Sequence, residues 1–231
     1  MLEWYEEIGM DTDPFAEHTQ TIGNEEELKE IFYSIIAGNM IFLEGETGSG
    51  KTHMLREAVK KFGGRKKIIY VNCKNVNGVN VERLLKNRYG ILGRMFNVKP
   101  KNMILMLDEI EKMSEKNCER IKYYYDMNHL RSVVFTSNDY NQAGLNSSIK
   151  QRINKVLKLK PLSDYEAVKV VREKIGDNFL SDRAIKNIYN HGGKKVGRLL
   201  DDCKVVLKEM ANQKLKTLDD NKVDEILEKI Q

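Results

Sequence analysis

The residues with the strongest chemical signal form one glycine-rich segment. They are Gly45, Glu46, Thr47, Gly48, Ser49, Gly50, Lys51 and Thr52, a complete G-x-x-x-x-G-K-[ST] pattern. Glycines let successive backbone N–H groups point at one anion, and the N-terminus of a following helix adds partial positive charge. Lys51 would bridge the β- and γ-phosphates of a nucleoside triphosphate, and Thr52 would offer its hydroxyl to Mg²⁺. The segment predicts a triphosphate site, and the alternative is a glycine-rich turn between a strand and a helix.

Two adjacent carboxylates follow an apolar run at residues 103–107, which predicts a buried strand. Buried parallel strands present side chains at their C-terminal edge, where ligands bind in α/β sheets. Asp108 would hold Mg²⁺ through water, and Glu109 would orient and activate an attacking water molecule. Taken alone, the same pattern also fits a strand that ends in a charged turn.

A second apolar run, residues 132–136, leads into Ser137, Asn138 and Asp139. If this strand lies between the strand before the glycine-rich segment and the strand before Asp108, the Asn138 amide lies beside the terminal phosphate. It would then help to fix the attacking water. An Asn-Asp pair is also ordinary turn chemistry, so the turn interpretation stays open.

The elements that must position these residues are short strands separated by helical segments. Strands are predicted at residues 40–44, 67–72, 103–107, 132–136 and 154–159, and a helix capped by Asn24 at residues 24–36. Alternation of short buried strands with helices predicts a three-layer α/β fold whose parallel five-stranded sheet is covered on both faces. The last strand alternates apolar residues with lysines, which favours an edge position.

After Pro161 the pattern is helical throughout. Ser163 and Glu166 form a capping-box pattern, and helices are predicted at residues 165–175, 181–190, 196–212 and 221–230. The sequence therefore predicts an α/β nucleotide-binding domain at residues 1–161 and a small all-helical domain at residues 162–231.

Composition bounds the class of protein. The net charge is +5, from 39 basic and 34 acidic residues, which is compatible with nucleic acid but is no signature of it. Cys73, Cys118 and Cys203 lack metal-site spacing and suggest reduced thiols. The acidic N-terminus lacks a signal-peptide pattern, and apolar runs are too short to span a membrane. We expect a cytoplasmic protein that does not act at a membrane.

These motifs, in this order, resemble the AAA+ ATPase superfamily, and the resemblance runs from Ile22 to the C-terminus. It implies a P-loop NTPase domain followed by a helical lid, with ATP and Mg²⁺ as ligands. It implies that Asp108 and Glu109 form the second nucleotide motif and that Asn138 is the sensor-1 residue. It also assigns Ile22 and Gly23 to the segment that lines the adenine pocket.

The resemblance also gives roles to two arginines. Arg152 resembles the arginine finger that such proteins insert into the neighbouring subunit's site; Lys150 is a less favoured candidate. The alternative for Arg152 is a surface arginine paired with a nearby carboxylate. Arg198 resembles the sensor-2 residue of the lid, although Gly197 falls at the motif position in another register, and a solvated helix position is the alternative.

The segment between the second and third strands is locally basic, with Tyr89 and Phe96 interleaved. In ring ATPases this region often faces the central channel, where basic and aromatic side chains grip nucleic acid. A charged, solvated helix with core aromatics explains the pattern equally well.

Residues 50–55 are similar to the phosphate loop of bacterial replication initiators and helicase loaders, and residues 134–138 suit archaeal and eukaryotic initiators and clamp loaders. The chain ends at Gln231, where the lid is expected to end, so the resemblance favours an ATPase with a lid over a sequence-specific DNA-binding protein. It implies an assembly switch or loader in DNA replication or another DNA transaction. Its expected partners are further copies in a ring or filament, a helicase or other replication protein, and DNA held nonspecifically. The alternatives are an ATP-dependent assembly module with little or no hydrolysis and a protein-remodelling ATPase not connected with DNA.

Overall fold

The structure is a computed structural model that describes residues 3–16, 20–63, 67–74, 80–87, 100–111, 113–215 and 217–229. The chain divides into two compact units. An α/β unit comprises Glu25–Leu159, and a helical unit comprises Met1–Asn24 together with Lys160–Gln231. The described helices are α1 Trp4–Glu7, α2 Glu25–Ala37, α3 Lys51–Phe62, α4 Val81–Lys86, α5 Glu115–Asp126, α6 Ser147–Lys150, α7 Asp164–Ile175, α8 Asp182–His191, α9 Val196–Asn212 and α10 Asp220–Glu228.

The α/β unit is built on a five-stranded sheet with the order β2-β3-β4-β1-β5. Its strands are β1 Met40–Glu44, β2 Ile68–Asn72, β3 Met103–Asp108, β4 Leu130–Ser137 and β5 Ile153–Lys158. All neighbouring strands pair in parallel. The predicted parallel sheet is confirmed, including β5 at an edge and β4 between β3 and β1.

Helices cover both faces of this sheet, which explains why the inner strands β1, β3 and β4 are largely apolar and buried. Successive residues of a strand point to opposite faces. Leu105 of β3 is buried in one cluster with Ile121 of α5. Met106, the next residue, is buried in a second cluster with Leu55 of α3. Because β3 is buried along its whole length, its terminal Asp108 is also withdrawn from solvent.

The helical unit confirms the pattern predicted after Pro161. Ser163 and Glu166 form the capping box that begins α7, with Glu166 N donating to Ser163 Oγ at 3.3 Å and Ser163 N donating to Glu166 Oε2 at 2.7 Å. Tyr189 of α8 is fully buried in the core of this unit, and its hydroxyl donates to Leu162 O at 2.9 Å.

The N-terminal segment differs from the prediction, which assigned it to the α/β domain. Residues 1–24 belong to the helical unit, and the division after them falls between Leu159 and Lys160 rather than after Pro161. The apolar side chains of Trp4 and Phe15 pack against the helical core. Lys204 of α9 binds Asp13 at 2.5 Å and lies over the Trp4 ring at 5.9 Å. Apolar spacing predicts that a segment is buried but not which core buries it.

Asn24 also differs from its predicted role as a helix cap. Its backbone adopts a left-handed conformation, with φ of 55°. Its side chain pairs with the backbone of Lys160 instead, accepting from Lys160 N at 2.8 Å and donating to Lys160 O at 3.0 Å. Asparagine tolerates this backbone conformation and bonds readily to main-chain groups, so the long-range pair replaces the local cap.

Candidate nucleotide-binding site

The glycine-rich segment forms the turn between β1 and α3. Gly48 and Gly50 have φ of 83° and 100°, conformations that glycine adopts without steric cost. A Cβ added at Gly45 would lie 2.6 Å from Ser49 Oγ, so a larger residue at that position would require the Ser49 side chain to move. The predicted order of strand, glycine loop and helix is therefore what the structure shows.

Lys51, the first residue of α3, is 5% exposed. Its ammonium donates to three neutral acceptors: Gly45 O at 2.5 Å, Glu46 O at 2.9 Å and Asn138 Oδ1 at 3.1 Å. Burial lowers the pKa of Lys51, and the charges of Asp108, Glu109 and Glu46 act in the opposite direction. A buried cation that donates to neutral acceptors, beside backbone N–H groups at a helix N-terminus, fits a bound anion.

Asp108 is completely buried and accepts hydrogen bonds from three hydroxyl groups. Thr136 Oγ1 donates to Oδ1 at 2.6 Å, while Thr52 Oγ1 and Tyr70 OH donate to Oδ2 at 2.8 and 2.7 Å. Burial and then the bond to Asp108 raise the pKa of the Tyr70 phenol, so it remains a donor.

This oxygen-rich pair also fits Mg²⁺. The hydroxyl of Thr52 and the carboxylate of Asp108 are hard ligands held 2.8 Å apart. The described residues contain no group of three or more His, Cys, Asp or Glu side chains suited to a metal ion. Proteins commonly hold Mg²⁺ through one or two carboxylates, with substrate phosphates and water completing the shell. The residues present match that arrangement.

Glu109 follows β3 and is held at the edge of the sheet. Its φ of 54° is uncommon for a residue with a side chain. The backbone N–H donates to Thr136 Oγ1 at 3.0 Å, and the side-chain Oε2 accepts from Asn72 Nδ2 at 3.0 Å. Asn72 is itself oriented, because its Oδ1 accepts from Lys74 N at 3.0 Å.

Asn138 lies at the end of β4, next to the phosphate loop. Besides its bond to Lys51, its Nδ2 lies 3.2 Å from Thr47 Oγ1. The structure thus brings together Lys51, Thr52, Asp108 and Asn138, with Glu109 at the adjoining strand end. Their individual roles toward a nucleotide stay predictions.

Tyr70 and Asn72 are site residues that the sequence analysis missed. Both lie on β2, and Asn72 pairs in register with Asp108. The sequence did show these polar residues near the end of a predicted strand. They could not be assigned to the site without knowing that β2 lies beside β3, and the sequences of the strands do not reveal their order.

Arg152 lies immediately before β5 and is paired within its own chain. Its Nε donates to Asp126 Oδ1 at 3.0 Å and its Nη2 to Oδ2 at 2.8 Å, while Nη1 donates to Ser148 O at 3.0 Å. The bond to Asp126 raises the pKa of Arg152. The sequence left such a pairing with a nearby carboxylate open as the alternative to an arginine finger. The role of Arg152 as a finger stays a prediction. Lys150 lies over the Tyr140 ring at 5.3 Å.

Ile22, Gly23 and Arg198 belong to the helical unit. Ile22 packs against its core. Gly23 has φ of 69°, and a Cβ there would lie 2.4 Å from Leu162 Cδ2. Arg198 Nε lies 3.7 Å from the carboxylate of Asp202, a buried residue of α9. The adenine-pocket and sensor-2 roles, like the choice between Arg198 and Gly197, stay predictions.

The basic segment between β2 and β3 is described only in part. Val81 and Leu85 of α4 are buried in the core. Tyr89 and Phe96, on which the channel hypothesis depends, lie outside the described residues.

The three cysteines are free thiols, and burial raises the pKa of Cys73 to about 11. None of the described helices has the length and apolar character of a membrane span.

Comparison with protein families gives a direct match. A family model described as "AAA domain" matches residues 37–168, more than half of the chain. The DnaA chromosomal replication initiator of Buchnera aphidicola subsp. Cinara cedri is 28% identical over 170 residues, which cover 61% of this chain and 38% of that protein. The Aquifex aeolicus DnaA is 26% identical over 147 residues, covering 59% of this chain and 36% of that protein. The match therefore spans well under half of these curated relatives.

Solved structures show the same fold. The Aeropyrum pernix ORC1 protein, solved in complex with DNA, has a TM-score of 0.74 at 16% identity, covering 99% of this chain and 69% of that chain. Domain III of the Thermotoga maritima replication initiator DnaA has a TM-score of 0.68 at 17% identity, covering 95% and 98% of the two chains. Because the family model matches more than half of the chain, this chain belongs to the AAA domain family, and it is similar to DnaA replication initiators.

Proposed function

We propose that the chain binds ATP with Mg²⁺ and hydrolyses it, and that it acts as an assembly switch or loader in DNA replication or another DNA transaction. The observation that carries the proposal is the cluster of Lys51, Thr52, Asp108 and Asn138 around the phosphate loop, with Glu109 beside it. Membership of a P-loop ATPase family supports the choice of ATP chemistry.

In the proposed reaction, Lys51 and the loop N–H groups bind the β- and γ-phosphates. Mg²⁺, when bound, supplies positive charge that neutralises the phosphates as the terminal group transfers. Thr52 and Asp108 are the residues that would hold it. Glu109 accepts a proton from the attacking water, and Asn138 orients that water. Asn72, the last residue of β2, orients the Glu109 carboxylate through its hydrogen bond to Oε2.

We further propose that the site is completed by a neighbouring copy, in a ring or a filament, which contributes Arg152. An arginine finger typically accelerates phosphoryl transfer by ~10³–10⁵. Its bonds to Asp126 and to Ser148 O use three of the five N–H donors of the guanidinium, so within the described part of the chain two remain for a phosphate.

The link to DNA is supported by the relatives. Two of them are chromosomal replication initiators, and the ORC1 protein was solved in complex with DNA. A helicase or another replication protein is the proposed partner, with DNA contacted nonspecifically. A cytoplasmic location likewise stays a prediction, based on the reduced thiols. An assembly module that hydrolyses little or no ATP, and a protein-remodelling ATPase unconnected with DNA, are the alternatives.

Steady-state ATP hydrolysis, measured without DNA and with single- or double-stranded DNA, tests the proposal. We expect turnover that Glu109→Gln abolishes while ATP binding persists, because the amide cannot accept the proton. Native mass measurements with and without ATP should show nucleotide-dependent assembly. Undetectable turnover under every condition, with ATP binding intact, would favour the assembly module. Turnover insensitive to DNA would favour the remodelling alternative.

A further inference from the structure

The buried carboxylate of Asp108 accepts a hydrogen bond from a tyrosine as well as from the two threonines of the site. Tyr70 OH lies 2.7 Å from Oδ2, the oxygen that also accepts from Thr52. Tyr70 comes from β2, a strand that contributes neither the phosphate loop nor the acidic pair. Tyr70 is 39% exposed, whereas Asp108 is fully buried, so the tyrosine side chain connects the surface to a buried carboxylate.

The three hydroxyl donors determine how the Asp108 carboxylate is turned. A carboxylate can rotate about its Cβ–Cγ bond and exchange its two oxygens. Thr136 binds Oδ1, while Thr52 and Tyr70 bind Oδ2. Hydrogen bonds to an ionised group are shorter and stronger than neutral ones, so the donors on both sides hold one orientation.

We propose that Tyr70 is a positioning residue of the magnesium–nucleotide site, whose hydroxyl keeps Asp108 turned toward Thr52 and ready to hold the metal. The inference rests on the proposed binding of Mg²⁺ with ATP and adds a residue that the sequence motifs do not contain. Partners that orient metal-binding groups typically affect metal affinity by 10–100-fold.

A purely structural role for Tyr70 predicts a different outcome. The bond also links β2 to the end of β3, so its loss would lower the unfolding temperature without changing the metal dependence of binding. Tyr70→Phe separates the two roles, because it deletes one oxygen and retains the half-exposed ring.

The experiment measures the affinity for a fluorescent ATP analogue, first in EDTA and then as Mg²⁺ is titrated. For Tyr70→Phe, we expect the Mg²⁺ concentration that gives half of the metal-dependent increase in nucleotide affinity to be about tenfold higher than for wild type. The affinity for the nucleotide in EDTA should be unchanged. Tyr125→Phe is the matched control, because it removes a tyrosine hydroxyl that donates to Gly38 O at 2.6 Å in the same unit. Thermal unfolding of each variant reports any loss of fold.

A Mg²⁺ midpoint within twofold of wild type would overturn the inference, and so would an equal loss of affinity in EDTA and in Mg²⁺. If wild-type protein binds the nucleotide with no effect of Mg²⁺ at all, the proposed metal site itself fails and the inference fails with it. The wild-type titration therefore distinguishes the two failures.

Discussion

At the scale of single residues, the site combines groups that a sequence motif identifies with groups that it does not. Lys51, Thr52 and Asp108 follow from residue type and spacing, because the chemistry of a phosphate loop restricts both. Tyr70 and Asn72 do not follow, since their importance depends on which strand lies beside β3. The sequence also could not show that the Arg152 guanidinium is engaged by Asp126 within the same chain.

The contact between Asn72 and Glu109 leads to a prediction at this scale. Asn72→Asp preserves the shape of the side chain but places a carboxylate about 3 Å from that of Glu109, where the two cannot both be ionised without mutual repulsion. We expect ATP hydrolysis to fall by at least tenfold, an estimate in line with the usual effect of a misplaced general base. Nucleotide affinity should be unchanged. Steady-state turnover and equilibrium binding measure the two quantities.

Asn187→Asp is the matched control for this prediction. Asn187 donates to Asp224 Oδ1 at 3.2 Å in the helical unit, so the substitution introduces the same charge beside another carboxylate. Its turnover should equal that of wild type. A rate for Asn72→Asp within twofold of wild type would show that Asn72 does not position Glu109.

At the scale of elements, the order of strands decides which side chains meet. Apolar runs identified all five strands to within about two residues, because buried parallel strands have a simple composition. Their order, β2-β3-β4-β1-β5, is set by long-range pairing and crossover connections that residue patterns do not encode. From the sequence, the placement of Asn138 beside Lys51 could be predicted only on the condition that β4 lies between β3 and β1. The structure has β4 in that position.

The end of α5 gives the second prediction, because it supplies the Asp126 that orients Arg152. Mixing Lys51→Ala protein, which retains the proposed finger, with Arg152→Ala protein, which retains the proposed phosphate site, should restore hydrolysis if the site is shared. Adding Asp126→Asn to the Lys51→Ala protein should lower the restored rate several-fold, since the guanidinium loses its charged bidentate partner. The rate of the mixture is the measurement.

Stability should change little in Asp126→Asn, because both members of the pair are partly exposed and such pairs contribute about 0–1 kcal/mol. Asp182→Asn is the control, since it breaks a comparable contact to Arg172, at 2.6 Å, in the helical unit. Failure of the simple mixture to recover any activity would count against a shared site. Full recovery with Asp126→Asn present would count against a positioning role for Asp126.

At the scale of the whole molecule, the N-terminal segment belongs to the same unit as residues 160–231, which are distant from it in the sequence. Its apolar side chains complete the helical core, and Asp13 binds Lys204. Local patterns indicated the boundary near Pro161 closely, because a capping box follows it. They could not indicate the distant partner of residues 3–16, because apolar residues predict that a segment is buried but do not identify the core against which it packs.

This arrangement predicts that Phe15→Ala destabilises the helical unit. Phe15 stacks on Trp4 with a centroid distance of 6.4 Å and packs against the helical core. Because Phe15 is only partly buried, we expect a loss of about 1–3 kcal/mol, below the usual range for a fully buried phenylalanine. Trp4 is the chain's single tryptophan, so its fluorescence during urea unfolding follows this unit selectively.

Tyr165→Ala serves as the control, because Tyr165 lies in the same unit and is 75% exposed. Its unfolding midpoint should remain close to that of wild type. Equal midpoints for Phe15→Ala and wild type would show that the N-terminal segment does not stabilise the helical unit.

The pair of hydrogen bonds between Asn24 and Lys160 has a consequence for the order of folding. The chain leaves the helical unit at one of these residues and re-enters it at the other, so the α/β unit is an insertion within it. The inserted unit is continuous in sequence and can fold during synthesis from its own contacts. The helical unit must wait for its C-terminal helices, while Trp4 and Phe15 stay without their partners. Because the two ends of the insertion lie side by side, a short glycine-rich linker in place of residues 25–159 should close the helical unit without strain.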